Sequence, residues 1–356
     1  MSKDQPRVFV GMSGGVDSSV AAYRLQRAGY EVVGVFIKVW HPDFLTCNWE
    51  EERLDAMRVA AHLNIPFLTC NAEKEYKDQV ADYFINEYLL GRTPNPDVMC
   101  NKHVKFGAFI DFAKSEGADF IATGHYARRV DVGTEPRLRR GIDPAKDQSY
   151  FLWSLTEEQL KFTLLPIGDS IKDTVRNEAK TAGLPTALKK DSQGVCFLGH
   201  VDIKEFLSHY TKLVPGKVLN QRGEIVGTHD GALIYTIGQR HGLVINTKET
   251  TRTPYYVIGK DVTNNTVTVA TERPILNQES DLQLSSVTLR HTVAIGEILT
   301  AQTRYHQPPF NVQILSYDPA SQKMAIKPIM PSDQPAVGQS CVLYRDSWCL
   351  GGGIIS

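Results

Sequence analysis

The chain of 356 residues has little cysteine and no pairing signal in it. None of its six cysteines (Cys47, Cys70, Cys100, Cys196, Cys341, Cys349) forms a C-x-x-C pair. That excludes a zinc ribbon and a thioredoxin-type motif. Six in this length are also too sparse for a disulfide scaffold. No apolar run approaches the ~18–20 residues of a membrane span, so no membrane partner is expected. The first residues, Met1 to Pro6, run almost at once into an apolar strand. They leave no room for a signal or transit peptide, and a cytoplasmic protein is expected. Internal repeats and low-complexity tracts are absent. Excess charge is lacking too: 39 basic and 40 acidic side chains leave a formal net charge of −1. That balance argues against a nucleic-acid coat protein but can hide patches.

A patch is there. Residues 1–120 carry a net charge of −4, residues 121–260 carry +5 and residues 261–356 carry −2. The middle third is the basic one. At ~100–200 residues per domain, the length suggests two or three domains. The boundaries expected are 1–210, 211–280 and 281–356.

The first 125 residues alternate strand and helix. Arg7–Val10, Val32–Ile37, Pro66–Thr69 and Asp119–Thr123 read as short apolar strands. Ser18–Ala28, Glu50–Leu63, Glu73–Leu90 and Lys102–Glu116 read as helices. This alternation predicts an α/β fold with a doubly wound parallel sheet. Residues 126–210 read as an irregular basic stretch, then helices near 156–162, 172–182 and 202–210. After Pro215-Gly216, short β-branched runs predict a small, mostly β central domain. From about 281 the spaced strands predict a C-terminal β-barrel.

The strongest local signal is Gly11-Met12-Ser13-Gly14-Gly15-Val16-Asp17-Ser18, between the first strand and the first helix. Glycines permit a tight turn, and amides at a helix N-terminus can hold phosphate. The loop lacks the Lys of a Walker A motif and the spacing of a dinucleotide fingerprint. Asp17 could reach a metal. A second segment, Gly91 to Asn101, carries Asp97 and Cys100 three residues apart. Its two prolines predict a stiff, non-helical loop. A helix starting near Asn101 would put its positive end beside Cys100 and favour the thiolate. A third polar loop, Lys189 to Phe197, carries Cys196, whose thiol the two lysines would acidify. The other four cysteines read as packing residues. Arg128, Arg129, Arg137, Arg139 and Arg140 read either as a solvated hairpin or as phosphate contacts.

Ser13-Gly14-Gly15-Val16-Asp17-Ser18 resembles the pyrophosphate loop of ATP pyrophosphatases, which release AMP and pyrophosphate. Further segments narrow this: Gly91 to Lys102, Ala122 to Tyr126, Lys146 to Leu152, Asp191 to Phe197, Thr236 to Arg240 and Cys349 to Ile355. In that order they resemble the tRNA-specific 2-thiouridylase family nearly end to end. The resemblance implies ATP binding by Gly11, Met12, Ser13, Gly14, Gly15, Val16, Asp17, Ser18, Ile37 and Gly124, with Mg²⁺. It implies contact with the target base by Asn95, Pro96 and Asp97. His125, Lys146, Asp147, Gln148, Arg304, Tyr305 and Gln339 would contact tRNA. Cys100 would be the nucleophile, Cys196 the persulfide carrier and Asp97 the general acid/base. No resident metal site is expected. The partners implied are the anticodon loop of tRNAs for Lys, Glu and Gln, and a cysteine desulfurase or sulfur-relay protein. The missing C-x-x-C ligands count against an iron–sulfur thiolase. An amidating synthetase and a non-catalytic RNA-binding module are the competing readings. Sulfur could reach the base from the persulfide directly or as hydrogen sulfide.

Overall fold

The computed structural model describes residues 5–45, 49–190, 202–246 and 254–356. Strand β1 (Arg7–Gly11) leads through the glycine loop into helix α1 (Val16–Arg27). Then follow β2 (Glu31–Lys38), α2 (Trp49–His62), β3 (Phe67–Asn71) and β4 (Phe120–Ala122). A two-residue strand, Thr163–Leu164, completes a sheet of order β3-β2-β1-β4 and then that strand. Every pairing in it is parallel. The apolar runs divide between two cores, as strands covered on both faces must. Phe9, Val33, Val35 and Ile37 face one side; Val8, Val10, Val32 and Phe36 face the other. The strand order reverses direction between β1 and β4, which opens a crevice beyond their C-terminal ends.

The α/β reading therefore holds, with three corrections. The fifth strand was not foreseen, because two residues give no periodicity to read. The basic stretch after residue 126 is not irregular: as one reading of its arginines had it, Ala127–Val132 and Glu135–Arg140 form an antiparallel hairpin, turning on Gly133 at φ +62°. The loop holding Asp97 and Cys100 is instead the beginning of a helix. That helix runs from 96 to 115 as Pro96–Met99, a widened π-helical stretch Cys100–Ala108, and Phe109–Ser115. Proline is compatible with the first helical position, where its missing N–H has no partner to lose.

A second five-stranded sheet lies between 216 and 270, around Val218, Tyr235, Val257, Val267 and Val269. The C-terminal strands form a closed six-stranded barrel, because Leu282–Leu289 pairs with both Lys323–Pro328 and Trp348–Ile355. The barrel is not remote from the parallel sheet. Val342, Tyr344 and Cys349 enter the same core as Phe9 and Ile37. The basic hairpin joins the barrel edge where Arg139 pairs with Trp348. Among the described residues no helix is long and apolar enough to cross a membrane.

Candidate functional site: a nucleotide loop beside a cysteine helix

The glycine loop leaves β1 at the crevice. Met12 donates its N–H to Val35 O at 2.8 Å and buries its side chain over Gly34. Ser13 N donates to Ser18 Oγ at 3.2 Å, and Ser19 Oγ donates to Gly15 O at 2.7 Å. These bonds fold the loop back on the first turn of α1. Gly14 has φ +68°, and a Cβ there would stand 2.4 Å from Glu52 O. Gly15 is the N-cap and supplies no side-chain cap, so the leading amides of α1 have no intrahelical acceptor. Val16 is buried beneath the loop. Gly124, just past β4, approaches the same turn: a Cβ would lie 2.6 Å from Ser18 N. Ile37 at the end of β2 lies beside Gly11. The ten residues assigned to nucleotide thus gather around one helix start, which suits a phosphate chain.

Asp17 does not stand alone. Lys172 Nζ donates to its two carboxylate oxygens at 2.7 and 2.8 Å, and Tyr126 OH donates at 2.8 Å. Neither partner was foreseen. Tyr126 lies inside a quoted motif, but Lys172 is 155 positions away with no local signal.

The cysteine helix touches the start of this loop through Phe109, which packs against Gly11. Asn95 is its N-cap and accepts from Val98 N at 3.3 Å. Asp97 falls in the first turn, where a carboxylate is favoured by the helix dipole. Cys100 is fully buried, in a cluster with Val98, Met99 and Val104. Farther along, Phe109 packs near Gly11, and the Phe106 ring lies 5.6 Å from the ring of His125. The π-helical stretch begins at Cys100 itself; such widened turns recur at functional sites. Cys196 lies outside the described residues. Of the lysines before it, Lys189 bonds Asp55 on α2 at 2.7 Å and holds that carboxyl below its ordinary range.

The residues assigned to RNA fall into three groups. Asn95, Pro96 and Asp97 stand where all three parts of the chain meet. Thr93 N donates to Val337 O at 2.8 Å, Thr93 Oγ1 lies 3.1 Å from Thr236 Oγ1, and Gly338 presses on the Thr93 backbone. Arg304, Tyr305 and Gln339 border this junction. Tyr150 OH donates to Thr303 O and Ser340 O, the neighbours of Arg304 and Gln339. Tyr305 packs on Phe151, with ring centroids 4.6 Å apart. Arg304 Nη2 donates to Ile237 O at 2.9 Å.

Lys146, Asp147 and Gln148 lie beside the basic hairpin. Asp147 is 8% exposed and accepts four hydrogen bonds. Gly141 N and Ser149 N reach Oδ1; Arg140 Nη1 and Ser149 Oγ reach Oδ2. Gln148 Oε1 accepts from Tyr126 N, while Lys146 is half-buried. His125 stands apart from both groups. It is buried, with Nδ1 2.7 Å from Thr123 Oγ1. Burial, then nearby Lys105, hold its imidazole well below the usual histidine range.

The hairpin arginines mostly seat the hairpin. Arg140 stacks on Tyr344 at 3.5 Å, Arg139 Nε bonds Ser347 Oγ, and Arg129 pairs with Asp131. Among the described residues there is no group of three or more His, Cys, Asp or Glu side chains able to hold a metal ion. A cation at the loop would find both Asp17 oxygens already held by Lys172, which leaves nucleotide oxygens and water as its main ligands.

Three family models match in sequence: the tRNA methyl transferase HUP domain over residues 6–200, the tRNA methyl transferase PRC-barrel domain over 204–271, and the aminomethyltransferase beta-barrel domain over 289–355. The tRNA-specific 2-thiouridylase MnmA of Listeria monocytogenes serotype 4a is 45% identical over 355 residues, covering 98% of this chain and 94% of that protein. Its namesake from Geobacillus thermodenitrificans is 46% identical, covering 99% and 95%. The one from Proteus mirabilis is 44% identical, covering 99% and 97%. Such identity across nearly the whole of both chains, spanning the loop, the cysteine helix and the barrel alike, makes this chain a member of the tRNA-specific 2-thiouridylase (MnmA) family.

Proposed function

We propose that the chain is an ATP-dependent tRNA-uridine 2-sulfurtransferase, acting on the wobble uridine of Lys-, Glu- and Gln-type tRNAs. The observation that carries this reading is that the helix bearing Asp97 and Cys100 in its first turns packs, farther along at Phe109, against Gly11 of the glycine loop.

The chemical problem is a poor leaving group, the C2 oxygen of uracil. That oxygen attacks the α-phosphate of ATP, and pyrophosphate departs into the loop of Gly11 to Ser18. Mg²⁺, held mainly by phosphate oxygens, would draw charge off the phosphates when bound. The uridine is unstacked to lie against Asn95, Pro96 and Asp97. Cys196 carries a persulfide, and its terminal sulfur attacks C2. The Cys100 thiolate then attacks the Cys196 sulfur. A Cys100–Cys196 disulfide forms, the persulfide bond breaks with its electron pair going to the sulfur on C2, and AMP leaves. In the other order, Cys100 first releases hydrogen sulfide, which attacks C2 itself. Asp97 moves the proton. A thiol reductant reopens the disulfide. The persulfide comes from a cysteine desulfurase or relay protein. The domain limits 1–210, 211–280 and 281–356 belong to this reading, as does a cytoplasmic setting.

The test is mass analysis of wobble nucleosides after incubation with unmodified tRNA, ATP, Mg²⁺ and a sulfur donor. A gain of sulfur for oxygen at C2 is expected, with tRNA-dependent release of pyrophosphate. Cys196→Ser should lose the thiolated product and the AMP that leaves with it, yet still release pyrophosphate in the presence of tRNA. Thiolation by Cys196→Ser at the parent rate would end the reading, and so would a methylated nucleoside in its place.

A further inference from the structure

One tight helical turn, Ser149–Leu152, lies between the cysteine helix and the barrel. It is held from both sides. Asn101, the residue after Cys100, donates its side-chain amide to Phe151 O at 3.1 Å. Tyr305 of the barrel packs its ring on Phe151 from the other side.

Tyr150 of this turn is 3% exposed. Its hydroxyl donates to Thr303 O at 3.2 Å and to Ser340 O at 3.1 Å, two barrel carbonyls that share one proton. The third neighbour of that oxygen is Asn95. Asn95 Oδ1 caps the cysteine helix by accepting from Val98 N, and the same side chain hydrogen-bonds the Tyr150 phenol. Burial, then nearby Cys341, push the phenol up, and the Asn95 bond and Arg304 offset this only in part. The hydroxyl therefore keeps its proton and remains a donor.

One oxygen thus joins three stretches of chain. They are the cap of the cysteine helix, the residue before Arg304 and the start of the strand Ser340–Arg345, next to Gln339. The barrel side would hold the RNA, and the helix side would hold the base and the sulfur chemistry. The reaction needs the two in register, because a misplacement of ~1 Å can cost about a hundredfold in rate. Apolar packing is non-directional, whereas a hydrogen bond at a buried atom fixes distance and angle.

We propose that Tyr150 is a positioning residue for the sulfur-transfer reaction. Its hydroxyl fixes Asn95, and with it the start of the cysteine helix, relative to the barrel segments that carry Arg304 and Gln339. In this role it touches neither nucleotide nor base and acts through Asn95. The proposal rests on the function proposed above.

The test is steady-state release of pyrophosphate from ATP with unmodified tRNA, together with equilibrium tRNA binding. It compares the full chain with Tyr150→Phe, Asn95→Ser and the double variant. Tyr150→Phe keeps the ring beside Phe151 and Tyr305 and removes only the oxygen. Asn95→Ser keeps a capping oxygen and removes the amide arm. Tyr150→Phe is expected to lower kcat at least tenfold while tRNA affinity and KM change less than threefold. In the Asn95→Ser background it should cost less than twofold more, because the arm it acts through is already gone. Losses that multiply in the double variant overturn the proposal. So does a lowered thermal midpoint with parental kcat below that midpoint, the mark of a merely structural tyrosine. Should Tyr150→Phe fail to fold, Asn95→Ser decides, since it leaves both barrel bonds of Tyr150 in place. A fall in its kcat with tRNA affinity kept is expected, and an unchanged kcat overturns the proposal. A parent chain that releases no pyrophosphate with tRNA refutes the proposed function, and the role of Tyr150 with it. A parent that does so, with Tyr150→Phe its equal, refutes the role of Tyr150 alone.

Discussion

Asp147 separates recognition from architecture, and Asp147→Asn tests which it serves. The family resemblance assigns Asp147 to tRNA. In the structure its carboxylate is buried and occupied by four donors from its own surroundings. An asparagine oxygen can keep Gly141 N and Ser149 N. Its amide then replaces the other oxygen and points N–H groups at Arg140 Nη1 and at the Ser149 hydroxyl. Arg140 would lose its carboxylate while still stacked on Tyr344. Breaking a buried pair from one side costs ~3–5 kcal/mol. Arg140 is 23% exposed and also reaches Gln302, which brings the expectation to about 2–4 kcal/mol. The lesion sits where the hairpin, the parallel sheet and the barrel share one core, so it should loosen the barrel contact first. Calorimetry should show the first transition lowered by on the order of 5 °C. Protease should cut the hairpin near Gly133 faster than in the parent. Binding of tRNA should fall only in step with that loss and return on cooling. A variant of parental stability with tRNA affinity reduced tenfold would refute this reasoning and make Asp147 a direct RNA ligand.

Other perturbations follow from the same contacts. Gly124→Ala forces a methyl to 2.6 Å from the Ser18 amide, and backbone cannot swing aside. ATP affinity in equilibrium dialysis should fall tenfold or more with the fold intact by circular dichroism. His125 is held neutral by burial, so the unfolded chain binds more protons as pH falls through the unfolded histidine value of ~6.5. Stability is thus complete above that value and drains below it. In urea titrations at pH 7.5 and 5.5, His125→Asn should shrink the difference in midpoint between the two. Gly338→Ala crowds the Thr93 backbone at 3.0 Å from a residue with φ +92°. It should slow tRNA-dependent pyrophosphate release while leaving ATP binding in place.

How much could be read from residues alone follows from the range over which each signal acts. The parallel sheet was legible because Val32 to Ile37 is apolar at every position, which only a strand covered on both faces requires. The glycine loop was legible because its small residues stand together between a strand and a helix, although Gly14 also makes room for Glu52 O on α2. The start of the cysteine helix was misread for the same kind of reason. Pro94 and Pro96 look like breakers within a short window, yet Pro96 follows an asparagine cap and occupies the one helical position that asks nothing of its nitrogen. Lys172 was out of reach because Asp17 meets it only through packing between elements far apart in sequence. Arg140 read as a solvated charge or a phosphate contact, whereas Tyr344 from the barrel and Asp147 from the neighbouring turn hold it. The sites built on local backbone geometry announce themselves, whereas the charges that tune them are delivered by tertiary contacts. For this chain that division has a consequence. The proposed phosphate loop is written in eight adjacent residues, but the lysine that pairs with its Asp17 is delivered from 155 positions away by the helix beside α1.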